Sequence, residues 1–441
     1  MRFFSILSVL TAVFLLTGCG GDAPPPPPEP AAEAPQALPT DRTALQKDFL
    51  DDVPGRWTRV RPVPEPELTA EQKQRIRRLE SLGYASGSRA AKAVMGVTRH
   101  DPQAAAGLNF MTSGHGPEAT LFAMDGAVLH TWRRPFRDAF PDLEIPADAK
   151  GAEHWRRARP LPDGSLLVIL EGLGLMKLDR DSRVLWAVSN GAHHDLEVLP
   201  DGVILVLTRE GRVIPEIHPT EPVLEDFVVR LDADGRELSR TSLLEAFLRA
   251  PRFRSLWERR RARTGDVFHT NSVELLDGRI ADRAPEFAAG RVLVSILKLD
   301  LVAVVDLESG LVVWAQQGDF HQQHDATIRP DGMLMLFDNI HRPGVSDVHV
   351  IDPADGSTVE RVGGSPADPL FSRTCGTAQP LPGGGLLITE SDNGRALELA
   401  ADGAKVWEFH NPHRAGPDDA YVATLFEVLR LPEDFFGVPF E

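Results

Sequence analysis

Histidines recur at the head of short apolar runs that end in Asp-Gly turns. His193-His194-Asp195 precedes Asp201-Gly202, His269-Thr270-Asn271 precedes Asp277-Gly278, and Gln323-His324-Asp325 precedes Asp331-Gly332. Counted back from each turn glycine, Asp195, Asn271 and Asp325 share one register. His194, Thr270 and His324 share the next, and His193, His269 and Gln323 the one after. Three chemistries fit such a set. Imidazoles with Asp195 or Asp325 could hold zinc or iron, although His193 and His194, as neighbours on a regular strand, would face opposite ways. A neutral imidazole is also a good nucleophile near neutral pH and can carry an acyl, phosphoryl or sulfuryl group. That use needs partner histidines to move protons and an amide such as Asn271 to hold substrate oxygens. In the third reading the rings satisfy strand-end carbonyls of a binding or scaffolding protein.

The elements that must position these residues are short strands broken by turns from Gly107 onward. Six units follow one another at Leu121–Trp132, Ala158–Trp186, Asp195–Leu238, Ser272–Trp314, Asp325–Val362 and Ala378–Trp407. Four of them close on a tryptophan: Trp132, Trp186, Trp314 and Trp407. Their spacing predicts an all-β, six-bladed β-propeller over residues 107–441, in which like positions gather around a central channel. The strand-like stretch Ala423–Val428 is left over and is expected to complete the first unit, so that no sheet edge stays open. Two inserts, a helical Ser242–Arg263 and a loop Ala281–Gly290, flank the His269 strand and are candidate rim elements over the pocket.

Ahead of the propeller, Arg2, the apolar run Phe3–Leu16 and Leu16-Thr17-Gly18-Cys19 read as a lipoprotein signal over residues 1–18, with Cys19 as the lipidated residue. Residues 19–40, with five consecutive prolines from Pro24 to Pro28, form an extended linker, and residues 41–106 are expected to be a helical neck. Gly20 in place of an aspartate leaves no inner-membrane retention signal. The expected site is therefore the outer membrane of a bacterial envelope, facing the periplasm, with membrane contact through the lipid. If Cys19 carries lipid, Cys375 has no disulfide partner. The formal charge of −17 argues against nucleic acid as a partner.

The chain resembles the arylsulfotransferase-like family, six-bladed propellers that move a sulfuryl group between phenols. The resemblance spans roughly Gly107 to Phe426. It is carried by His193-His194-Asp195, His269-Thr270-Asn271-Ser272, Gln323-His324-Asp325, Phe337-Asp338-Asn339, Gly376-Thr377-Ala378-Gln379 and Trp407-Glu408-Phe409, in that order. It implies transfer from an aryl sulfate donor to a phenolic acceptor without a nucleotide cofactor or a metal. His324 would be the covalent residue, His269 and His193 or His194 its acid–base partners, and Asn271 and Thr377 substrate-binding residues. One position departs from the family pattern: Ser295-Ile296-Leu297 places Leu297 where family members carry an arginine for the sulfuryl oxygens. A bulge at Lys298, or Arg342 from a neighbouring loop, would restore the charge. Without either, a non-catalytic propeller that binds a ligand or a protein partner becomes the competing reading.

Overall fold

The computed structural model describes residues 94–145, 149–218, 221–259, 262–415 and 419–440. The signal, Cys19, the linker and the neck as far as residue 93 lie outside the described residues. Six antiparallel sheets of four or more strands follow one another along the chain. The inner strands of blades 2 to 6 are Arg157–Pro160, Ala192–Val198, Thr270–Leu275, His324–Ile328 and Thr377–Pro380. Blade 1 takes its inner strand from the far end of the chain: Leu425–Leu431 pairs with Leu108–Ser113, which leads on to Glu118–Phe122 and Val128–Arg133. The leftover strand thus closes the ring, as the sequence pattern predicts.

Each joint between inner strands is bridged by side chains. Val273 N–H donates to Asp195 (3.0 Å), Ala326 N–H to Ser272 Oγ (3.0 Å) and Ala378 N–H to Asp325 (2.9 Å). Arg430 N–H donates to Gln379 Oε1 (2.8 Å). Glu427 of blade 1 accepts from Arg157 and Arg159 of blade 2, and Arg159 also reaches Asp195 of blade 3. At the outer wall three of the closing tryptophans do a similar job. Trp132, Trp186 and Trp407 donate their indole N–H to backbone carbonyls at or beside the Asp-Gly turn of the next blade, at Gly164, Ala233 and Met124. Between the blades lie stacked layers of buried Leu, Ile, Val and Phe, so apolar burial holds the sheets face to face while the polar bridges fix their register.

Two sequence expectations change and one holds. The strand Gly96–His100 falls inside the expected neck, yet it pairs with Lys405–His410 as a fifth strand of blade 6, so the propeller begins before residue 107. Ser242–Arg263 is helical as expected: Ser242 Oγ caps Glu245 N–H, and Leu243–Leu248 and Pro251–Glu258 bury Phe247, Phe253 and Trp257. The Ala281–Gly290 insert, by contrast, follows the C-terminal end of Thr270–Leu275 and so leaves from the face opposite His269. There it packs Phe287 on Trp314 (4.9 Å) and cannot cover the histidines.

Candidate functional site

The inner strands of blades 3 to 6 start at one mouth of the channel, and there the backbone is unusual. His194, His269, Gln322, Asp325 and Cys375 all have positive φ, between 52° and 57°. Such angles are costly for residues with a Cβ and concentrate where surrounding structure imposes a geometry. Pairing also slips beside three of these starts: between Val206 and Thr208 opposite the His194 strand, between Thr270 and Ser272, and between His324 and Thr327. Bulges re-aim side chains. The simple alternation used on the sequence therefore fails at His193-His194, where the left-handed turn brings both rings together with their Nδ1 atoms 2.9 Å apart.

The histidines form a connected series. His194 stands edge-on to His269 at 4.7 Å, and His193 sits behind His194, with its Nε2 3.8 Å from Asp226. Glu171 lies 3.3 Å from His194 Nδ1 and accepts the His194 backbone N–H. A carboxylate there requires His194 to carry its proton on Nδ1, which leaves Nε2 with a lone pair. Burial pushes His193 down to about 3 and His194 well below the usual range, so both rings are neutral at neutral pH. Burial raises Glu171, but Arg209 and Arg156 outweigh it and keep the carboxylate ionised.

His269 is oriented by Asp266, which accepts both its backbone N–H (2.8 Å) and its Nδ1. Asp266 sits in the short strand Gly265–Asp266, held parallel to Val223–Leu231 of blade 3. Burial pushes the neighbouring Asp226 up, and the charge of Asp266 adds to the shift. Asp266 itself is held low because His269 outweighs its burial. The pair thus settles with Asp226 taking the proton and Asp266 facing the imidazole as a carboxylate. An aspartate behind a histidine keeps the tautomer and steadies the imidazolium when it forms.

His324 has the most informative surroundings. Its Nδ1 lies 2.8 Å from Asn339 Oδ1 and 3.0 Å from the Gln322 carbonyl. The Asn339 NH2 donates to the carbonyls of Ser372 (2.8 Å) and Cys375 (2.6 Å), so its oxygen must be the atom turned to His324. Two acceptors around Nδ1 place the proton there, and Nε2 keeps its lone pair. Burial, with His269 and Arg156 adding to it, pushes His324 down to about 3, so that lone pair survives well into the acid range.

His324, Asn271 and Thr377 line one narrow recess together with Arg156, Arg157 and Phe426. Asn271 gives its amide N–H to the Gln323 carbonyl (2.8 Å), and its buried Oδ1 has no hydrogen-bond partner among the described residues. Gly376, also on the wall, has φ +96°, and a Cβ there would lie 2.5 Å from the Phe337 ring. Arg342 does not join this group. It is exposed at the tip of the Leu334–Arg342 and Val345–Ile351 hairpin. Leu297 opens a short 3-10 turn after the strand ends at Ile296, and Lys298 lies where its charge acts on Asp266. Neither route restores the family arginine. The cations on the recess wall are Arg156 and Arg157 of blade 2.

Asp266, Glu171 and the two blade 2 arginines are absent from the sequence expectations, and Asn339 figures there only within the phrase Phe337-Asp338-Asn339, without a role. For the arginines a signal exists. Leu161-Pro162-Asp163-Gly164 is the blade 2 copy of the turn, and the same count back from Gly164 lands on Arg157 in the Asp195 register and Arg156 in the His194 and His324 register. One atom each from Glu171, His193 and His194 lies close enough to share an ion. Arg209, 3.3 Å from Glu171, and Arg156, 3.7 Å from it, already supply the positive charge that a metal would bring.

Residues 157–412 match the arylsulfotransferase (ASST) family. The chain belongs to that family. Membership supports a sulfotransferase-like function at the family level, with aryl sulfates and phenols as the broad substrate classes. None of the curated proteins matches the chain. Among solved structures, a protein of unknown function from Bacteroides caccae is 13% identical with a TM-score of 0.47, over 73% of this chain and 98% of that one. Virginiamycin B lyase from Staphylococcus aureus is 12% identical with a TM-score of 0.41, over 73% and 85%. The WD40 propeller domain of Doa1 is 9% identical with a TM-score of 0.41, over 79% and 100%.

Proposed function

We propose that this family member transfers a sulfuryl group from an aryl sulfate to a phenol, with His324 Nε2 as the carrier. The observation that carries the reading is the Asn339 tether, which holds the proton on Nδ1 and leaves Nε2 unprotonated in a buried recess. The Nε2 lone pair attacks sulfur, the S–O(aryl) bond breaks, and its electron pair leaves with the phenolate oxygen. The imidazolium form of His269, steadied by Asp266, gives that oxygen a proton. In the second half neutral His269 takes the proton of the incoming phenol as its oxygen attacks sulfur. The N–S bond then breaks and returns the pair to His324. His194, edge-on to His269, is placed to relay a proton, and Asn271 and Thr377 border the reacting group.

A covalent carrier predicts ping-pong kinetics and label that stays on the protein when acceptor is withheld. Incubation with a sulfur-labelled aryl sulfate should therefore label the protein, the label should map to His324, and His324→Ala should abolish it. A folded wild-type protein that takes no label from any activated aryl sulfate would overturn the transfer and leave a binding propeller.

A further inference from the structure

The two arginines on the recess wall are adjacent in sequence but differ in how they are held. Arg157 is saturated. Its guanidinium meets Glu427, lies 3.4 Å from Asp195 and 3.8 Å from Asp325, and donates to the His194 carbonyl at 3.1 Å. Arg156 is equally buried but loosely held. Among the described residues its guanidinium has Glu171 at 3.7 Å, beyond hydrogen-bond range, and the face of the Phe426 ring at 5.0 Å. A guanidinium carries five N–H donors in a fixed fork. Set over the Phe426 ring, it can present a donor edge for a planar, two-point grip on an oxyanion. That edge lies on the same narrow wall as His324 and Asn271.

We propose that Arg156 is the residue that grips the oxyanion of the donor, so that blade 2 supplies the cation missing at Leu297 of blade 4. The proposal rests on the transfer reading for the identity of the anion, but the seat itself follows from the guanidinium and the recess. Phe426 lies beneath the guanidinium, and Glu171, 3.7 Å away, balances its charge without a hydrogen bond. The opposite edge takes two oxygens of a sulfuryl group whose sulfur faces His324 Nε2. As negative charge builds on those oxygens during transfer, the grip tightens.

Binding and transfer separate the two ideas. In a His324→Ala background, which cannot accept the group, 4-nitrophenyl sulfate binding is measured by calorimetry for Arg156 and for Arg156→Met and Arg156→Lys. The expected result is roughly ten- to a hundredfold weaker binding with methionine and a partial recovery with lysine, which keeps the charge but not the two-point geometry. With His324 present, Arg156→Met should slow labelling by about 10²–10³-fold. Unchanged binding and unchanged labelling in Arg156→Met overturn the grip and leave the transferase intact. Arg156-dependent binding with no label on His324 overturns the transferase and leaves the grip. If the methionine variant fails to fold, Arg156→Lys decides: full parental affinity and labelling rate would show that the two-point geometry is not used.

Discussion

Blades 2 and 5 stand three places apart in the ring and put different residues at the same two points of the same strand. At the first point blade 2 has Arg156 and blade 5 has His324, and both line the recess. At the second point stand Arg157 and Asp325. Both of these face the recess too, but their polar groups are spent on neighbouring blades: Arg157 on Glu427 and Asp195, Asp325 on the Ala378 N–H. The two second-point groups also approach each other at 3.8 Å. Blade 3 follows the same division, with His194 in the cluster and Asp195 bridging to Val273. In blades 2, 3 and 5, then, the first point faces the proposed chemistry and the second locks the ring, whereas blade 4 puts the recess-lining Asn271 at the second point and bridges from Ser272 instead. Like residues at like points have two causes here, and Asp195 and Asp325 recur because each accepts the N–H that joins its blade to the next.

This division can be broken most severely at the closing strand, which supplies Glu427 to the lock. Ending the chain at Val422 removes blade 1's inner strand along with that carboxylate. The truncated protein is expected to lose its cooperative thermal transition, whereas a chain ending at Leu431 keeps the strand and the transition. A protein ending at Val422 that melts like the intact one would show that the ring does not depend on closure there. A smaller effect is expected from Arg157→Met, which leaves Glu427 and Asp195 buried with less compensating charge. Breaking a buried ion pair costs about 3–5 kcal/mol, read as a shift in the denaturant midpoint. His324→Ala should cost less, about 1–3 kcal/mol for the unpaired Asn339 oxygen, while removing all transfer. Equal stability of Arg157→Met and wild type would end the distinction between locking and reacting positions.

Much of this was legible in the chain because a repeat states its own register. The Asp-Gly turns, the closing tryptophans and Ala423–Val428 were enough for six blades and for closure of the first by the last strand. The site was legible where its residues sit on that register, as His194, His324 and Asn271 do. Two kinds of information were not. Asp266 and Asn339 act as orienters from the short strand Gly265–Asp266 and from the second strand of blade 5, and nothing in the repeat count ties them to His269 or His324. The left-handed backbone at His194 also defeats the alternation rule, because one positive φ turns both rings to the same side. Arg156 and Arg157 were legible in principle. They lie in register with the histidine phrase, but they belong to a blade without a histidine there, and a search led by residue type passes over them.

The finest test separates the two points by the sign of their pH dependence. His324 is pushed down to about 3 from an ordinary value near 6.5, because burial disfavours the charged ring. Below 6.5 the unfolded chain binds a proton there that the native state refuses, so this residue subtracts stability as pH falls towards about 3. Asp325 is shifted the other way, up to about 6 by burial despite Arg157. Between 6 and the ordinary carboxylate range the native state binds a proton that the unfolded chain does not, so this residue adds stability as pH falls and loses it as pH rises. Urea unfolding at pH 7 and pH 5 then predicts opposite changes relative to wild type. His324→Ala should gain about 2 kcal/mol on moving to pH 5, since its acid penalty is gone, and Asp325→Asn should lose about 1 kcal/mol, since its acid bonus is gone. Slopes of the same sign for the two variants would mean that the adjacent positions share one environment, and that the separation of chemistry from ring locking in this propeller is wrong.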